Sequence, residues 1–139
     1  MSGAASEKKL KHLEMIQAVI NRLASNSFRV KGWSVVLVTA LLALGAQNGS
    51  ARMALVSLIP VLVFWGLDGY YLSQERLFRA LFNCVRAKDE VDFSMDVGRR
   101  RWRDWWLAVL SATSWPFYAA LAAAALAGLA LLGTTGDTT

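Results

Sequence analysis

Residues 54–85 read ALVSLIPVLVFWGLDGYYLSQERLFRALFNCV, and two patterns meet inside that stretch. The apolar run that begins at Met53 and ends near Leu72 is twenty residues long. At ~1.5 Å per helical residue such a run covers the ~30 Å of bilayer hydrocarbon. From Ser73 to Val85 the pattern turns amphipathic: Leu77, Phe78, Leu81, Phe82 and Val85 share one face, and Glu75, Arg76, Arg79 and Asn83 fall off it. No Gly or Pro interrupts 73–85, so the spacing predicts one long helix that starts in lipid and ends in water or at the headgroups. A single carboxylate, Asp68, stands close to the crossing point.

The rest of the chain follows this lead. Its 139 residues are 55% hydrophobic yet carry a net charge of +5, and mean hydropathy is +0.37. The apolar residues collect into three blocks, 28–47, 53–72 and 105–132, which is how a membrane protein is written. The fold class expected is an all-α membrane protein with three transmembrane helices at those blocks. Amphipathic helices at 7–24 and 73–86 lie on the cytoplasmic side. Lys8, Lys9, Lys11, Arg22, Arg29 and Lys31 come before or at the start of the first block. Arg76, Arg79, Arg86, Lys88, Arg99, Arg100, Arg101 and Arg103 separate the second from the third, and only Arg52 lies between the first two. The positive-inside rule then puts the N-terminus and 73–104 in the cytoplasm and the tail 133–139 outside. All 139 residues form one membrane domain.

Local signals fill in the elements. On 7–24, Leu10, Leu13, Ile16, Ile20 and Leu23 line one face, which packs on Leu77, Phe78, Leu81 and Phe82 or lies flat on the leaflet. Ser25, Asn26 and Ser27 read as a break that caps the next helix. Lys31 is left to snorkel from the short first span. The long structured stretch before that span argues against a cleaved leader. Asn48-Gly49-Ser50 is a turn signal that makes the first two spans a tight hairpin. Pro60 should bend the second near Ser57, and tilt or a bend at Pro116 should absorb the excess length of the third.

Chemistry-bearing groupings are few. No Ser–His–Asp set, phosphate-cradling glycine loop or metal-ligand spacing occurs, so neither catalytic residues nor a cofactor or metal is expected. His12 is the only histidine. Cys84 is the only cysteine, which leaves a packed thiol or a juxtamembrane palmitoylation site. Asp68 either pairs with Arg76, Arg29 or Lys31, or bonds Tyr71, or serves an ion path directly. Asp68, Tyr71, Glu75, Ser111, Ser114 and Tyr118 are the candidates for a polar membrane site. Ala119, Ala120, Ala123, Ala124, Ala127 and Gly128 recur at fourfold spacing and suit close helix packing, within or between protomers. Arg99, Arg100, Arg101, Trp102 and Arg103 suit lipid headgroups, and Trp102, Trp105 and Trp106 read as an interfacial belt rather than a nucleic-acid surface.

The string from Asn26-Ser27-Phe28 through Trp33, and Leu67-Asp68-Gly69-Tyr70-Tyr71 running to Glu75-Arg76, sit in a layout of N-terminal amphipathic helix, two-span hairpin and amphipathic continuation. Over residues 8–90 that layout resembles the SLATT-type bacterial membrane modules; the third span departs from their two-span plan. The resemblance implies a pore-forming or membrane-perturbing effector; three helices cannot enclose a water-filled path alone, so such an effector is expected to work as a homo-oligomer, in a bacterial inner membrane. Two other readings stand beside it. One is a non-conducting anchor or regulatory subunit for a cytoplasmic protein partner. The other is a small oligomeric transporter for cations or protons.

Overall fold

The computed structural model describes residues 2–88, 92–99 and 101–136, and all its regular structure is helical. The elements are α1 (Ser2–Asn48), α2 (Ala51–Val56), α3 (Leu58–Ala87), α4 (Trp102–Val109) and α5 (Trp115–Gly136). Three stretches are long and apolar enough to cross a membrane, within Gly3–Asn48, Ala51–Ala87 and Trp115–Thr134. This is a membrane protein by the length and composition of its helices.

The dominant contact is between α1 and α3, antiparallel partners for most of their length. With 47 residues, α1 is on the order of 70 Å long at ~1.5 Å per residue, far more than a bilayer needs. The expected break at Ser25-Asn26-Ser27 does not occur: 7–24 and 28–47 belong to one rod. Its buried positions, His12, Ile16, Ile20, Ser27, Val30, Ser34 and Val38, follow one another at three, four or seven residues without a change of phase. Two serines and an asparagine lower helix propensity by only tenths of a kcal/mol each. An uninterrupted buried seam outweighs that. The polar halves of α1 and α3 pack together, Ile20 and Gln17 lying beside Phe82 and Arg79; of the expected stripe Ile16 and Ile20 are buried, whereas Leu10 is exposed.

The hairpin closes in two residues, Gly49 and Ser50, where the apolar blocks 28–47 and 53–72 leave 48–52 between the spans. Gly49 has φ +59°, and the Ser50 N–H bonds to Gly45 O at 2.9 Å. That six-to-one closure after a left-handed glycine satisfies the last carbonyls of α1. As Pro60 predicts, the second span is broken at Ser57, which separates α2 from α3; the missing proline N–H frees the carbonyl one turn back. Ser57 turns its hydroxyl to Ala54 O at 2.6 Å.

The third span differs from its expected 105–132. Residues 105–109 belong to the separate helix α4, and the crossing helix α5 starts only at Trp115. Pro116 explains this. Its ring would strike the carbonyl of Ala112 in a continuous helix, but it fits in a first turn, where its absent N–H is not needed. Around the apolar end Val38, Val61 and Tyr118 form the core, with Leu42, Phe64, Trp65, Phe117, Leu121 and Ala122 packed on it.

At the other end, His12 is fully buried against Phe93, ring centroids 5.4 Å apart. Neither ring nitrogen has a hydrogen-bond partner. A buried polar atom without a partner costs about 1–3 kcal/mol. His12→Leu is therefore expected to raise stability by about 1 kcal/mol, read as a higher midpoint in detergent by circular dichroism. A lower midpoint would show that the imidazole is bonded.

Candidate functional site: a buried polar junction

The site begins with a carboxylate where apolar sequence predominates. Asp68 is fully buried on α3, flanked by Gly66 and Gly69. An ionised group so placed must find its own solvation. Donors come from α1 and from the turn that leads into α5. From α1, the Ser27 hydroxyl donates to Oδ1, and the Lys31 ammonium reaches Oδ2 at 2.5 Å. From the residue preceding α5, the Ser114 hydroxyl donates to Oδ2 at 2.7 Å. Lys31 also bonds to Ser27 Oγ at 3.2 Å, which ties the two α1 residues to each other. Asp68 lies beside the N-terminal end of α5, where the helix dipole favours negative charge. One carboxylate thus holds all three long helices at one depth.

A second layer lies deeper. Ser34, fully buried one turn beyond Lys31, donates to Lys31 O at 2.7 Å. Tyr118 is fully buried, stacked on Trp65 with centroids 6.1 Å apart. Its hydroxyl faces Ser34 and Asp68 but reaches hydrogen-bond geometry to neither. Ser111 also buries a hydroxyl without a partner. On the open side, Ser27, Phe28, Lys31, Glu75 and Thr113 line a recess of about 330 Å³, and the Lys31 side chain is 15% exposed there.

Of the residues singled out from sequence, Asp68, Ser114 and Tyr118 come together here. Tyr71 does not join them; it sits edge-on to Tyr70. Glu75 is held by Arg79 at 2.7 Å, the i,i+4 pair written into the sequence. Among the three cations considered for Asp68, Lys31 is the one that binds. Arg76 instead donates to Leu107 O at 3.3 Å, and Arg29 is exposed. Lys31 does not snorkel away. The Ser27 and Ser34 roles were missed, although Ser27, Lys31 and Ser34 stand at i, i+4 and i+7 on one α1 face, which was the available signal.

The alanine repeat is only partly used inside the chain. Helix α5 packs inward through Tyr118, Leu121, Ala122 and Ala125, and Gly128 lies close to Leu42 and Ala54. Ala119 is half-buried, while Ala120, Ala123, Ala124 and Ala127 are exposed. Arg99, Arg101, Trp102 and Arg103 are exposed too, and Arg100 lies outside the described residues. Among the described residues no group of three His, Cys, Asp or Glu side chains could hold a metal. No family model, curated protein or solved structure matches the chain.

Proposed function

We propose that this chain is a non-conducting, non-enzymatic membrane subunit that holds a cytoplasmic helical hairpin in fixed register with the bilayer, for a protein partner to engage. The observation that carries this reading is the closure of Asp68. Its carboxylate is wholly buried and shared among Ser27, Lys31 and Ser114, so it offers nothing to a passing ion. A ring of acids built from Asp68 and Glu75 would require both to turn outward. Yet Glu75 too is engaged, by Arg79. The outward face of the spans carries Val36, Leu44, Leu55, Ile59, Leu62 and Val63, a lining for lipid rather than for water.

Because α1 runs unbroken from the apolar end to the polar end, and α3 does so from Leu58 onward, a displacement of the hairpin is carried mechanically into the spans. That is what an anchor or regulatory subunit needs. The effector reading keeps one observation of its own. Ala120, Ala123, Ala124 and Ala127 form an exposed small-residue face on α5, where a second copy could approach closely.

Reconstitution into vesicles loaded with a self-quenching dye and, separately, with potassium decides between the two. Release indistinguishable from protein-free vesicles is the expected result. Release that rises with the protein-to-lipid ratio would overturn the subunit reading and support an oligomeric pore.

A further inference from the structure

Helix α4 has two unlike edges. One is tied to α3: Ala108 and Val109 are buried, Trp105 Nε1 donates to Gly66 O at 3.2 Å, and Trp65 Nε1 donates to Val109 O at 2.9 Å. The other edge carries Trp102, Trp106 and Leu107, with Leu110 just beyond, at 70%, 45%, 57% and 58% exposure. Its three indoles form one cluster, Trp102 on Trp105 at 5.1 Å and Trp105 on Trp106 at 4.8 Å.

The docking points give its depth. Gly66 and Gly69 flank Asp68, so α4 abuts α3 at the level where the charged junction sits. A separate element marks the same level: Phe28 and Trp33 of α1 are 78% and 63% exposed, and they flank Lys31, which reaches Asp68. Exposed aromatic rings at one depth on two elements are what a bilayer's interfacial layer selects.

Charge then selects the lipid. Arg99, Arg101 and Arg103 are exposed beside Trp102. Among the described residues the ion pairs are Lys31–Asp68 and Glu75–Arg79, so no described carboxylate claims these three guanidiniums. Asp104, the nearest acid in sequence, accepts from the Arg101 backbone N–H at 3.3 Å. We propose that α4 is an interfacial helix lying in the headgroup layer, and that Arg99, Arg101 and Arg103 hold anionic phospholipid there while Trp102 and Trp106 enter the acyl boundary. The third crossing therefore begins with a lipid-reading step before the chain turns at 110–114 into α5. Arginine forks suit phosphodiester oxygens, and each basic group near an anionic surface adds about fivefold to partitioning.

The experiment uses the full chain in vesicles of one part phosphatidylglycerol to three parts phosphatidylcholine, with bromine on the acyl chains of one lipid or the other. Tryptophan fluorescence is compared at equal mole fraction of brominated lipid. Brominated phosphatidylglycerol is expected to quench more than brominated phosphatidylcholine. That excess should fall by more than half in Arg99→Gln/Arg101→Gln/Arg103→Gln and by less in the triple Lys variant, which keeps the charge but not the planar fork. Trp102→Phe should reduce quenching by both lipids. Equal quenching by the two lipids overturns the anionic preference, and an excess that survives the Gln triple overturns the arginine assignment. If a single-stranded oligonucleotide abolishes the excess, the basic run is a nucleic-acid surface and the proposal fails. None of these readouts depends on whether the vesicles leak.

Discussion

Lys31→Met is expected to destabilise the chain by about 3–5 kcal/mol, the cost of stranding one partner of a buried ion pair, and to do so more severely than Asp68→Leu. The asymmetry follows from exposure. The Asp68 side chain is fully enclosed, whereas Lys31 keeps 15% of its side-chain surface open to the recess beside Ser27 and Thr113. When the carboxylate is removed, the lysine has a four-carbon stem with which to reach the headgroups. When the ammonium is removed, the carboxylate has nowhere to go and keeps only the Ser27 and Ser114 hydroxyls. The double variant Lys31→Met/Asp68→Leu should recover most of the loss, because a well-packed apolar pair often equals a buried salt bridge in stability. Thermal unfolding in detergent of the four chains completes the cycle. If the single variants lose equal amounts and the double loses their sum, the two side chains are not coupled and the junction described above is not what joins the helices.

The same contrast explains what could be read before any coordinates. The three apolar blocks, the Asn48-Gly49-Ser50 turn, the break at Ser57 ahead of Pro60 and the unbroken continuation of the second span's helix across 73–85 all rest on local rules of length, turn chemistry and proline sterics. Those rules act within one or two turns of chain, so the residues nearby suffice. Ser25-Asn26-Ser27 misleads for the converse reason. Its local chemistry favours a cap, but Ser27 gives its hydroxyl to Asp68, 41 residues away, and the α1 seam continues through it. The stripe's unbroken phase from His12 to Val38 carried the correct answer, and the cap signal competed with it. The third span is a matter of scale: a proline alone signals a bend inside a span, whereas the whole turn 110–114 is needed to redirect the chain. Ser114 and Ser27 converge on Asp68 only through packing of helices remote in sequence, which no single-helix periodicity encodes. That Asp68 needed a partner was legible. Which of three cations supplied it was not, because Arg29, Lys31 and Arg76 all lie within a plausible reach of the same depth.

Gly69→Val is expected to lever α4 away from α3. A Cβ at position 69 would overlap Val109 Cγ2 and stand 3.3 Å from Val109 Cα. The first contact could be relieved by a rotamer change; the second involves backbone, and relief means moving the helix. Overpacking of this kind costs about 1–3 kcal/mol, and a β-branched side chain falls at the upper end because its χ1 has little freedom in a helix. The movement has a consequence beyond stability. Two indole bonds flank the contact, Trp65 to Val109 O and Trp105 to Gly66 O, and both must lengthen as α4 retreats. Tryptophan emission should therefore shift and the unfolding midpoint fall, while Gly69→Ala produces a smaller change of the same sign. Val109→Gly in the Gly69→Ala background removes the Cγ2 atom that creates the clash. It should restore the emission maximum even though it cannot restore the apolar area that Val109 buried. Emission left unchanged in Gly69→Val would mean that α4 is not seated on the glycine pair around Asp68, and the depth assigned to its exposed indoles would lose its footing with it.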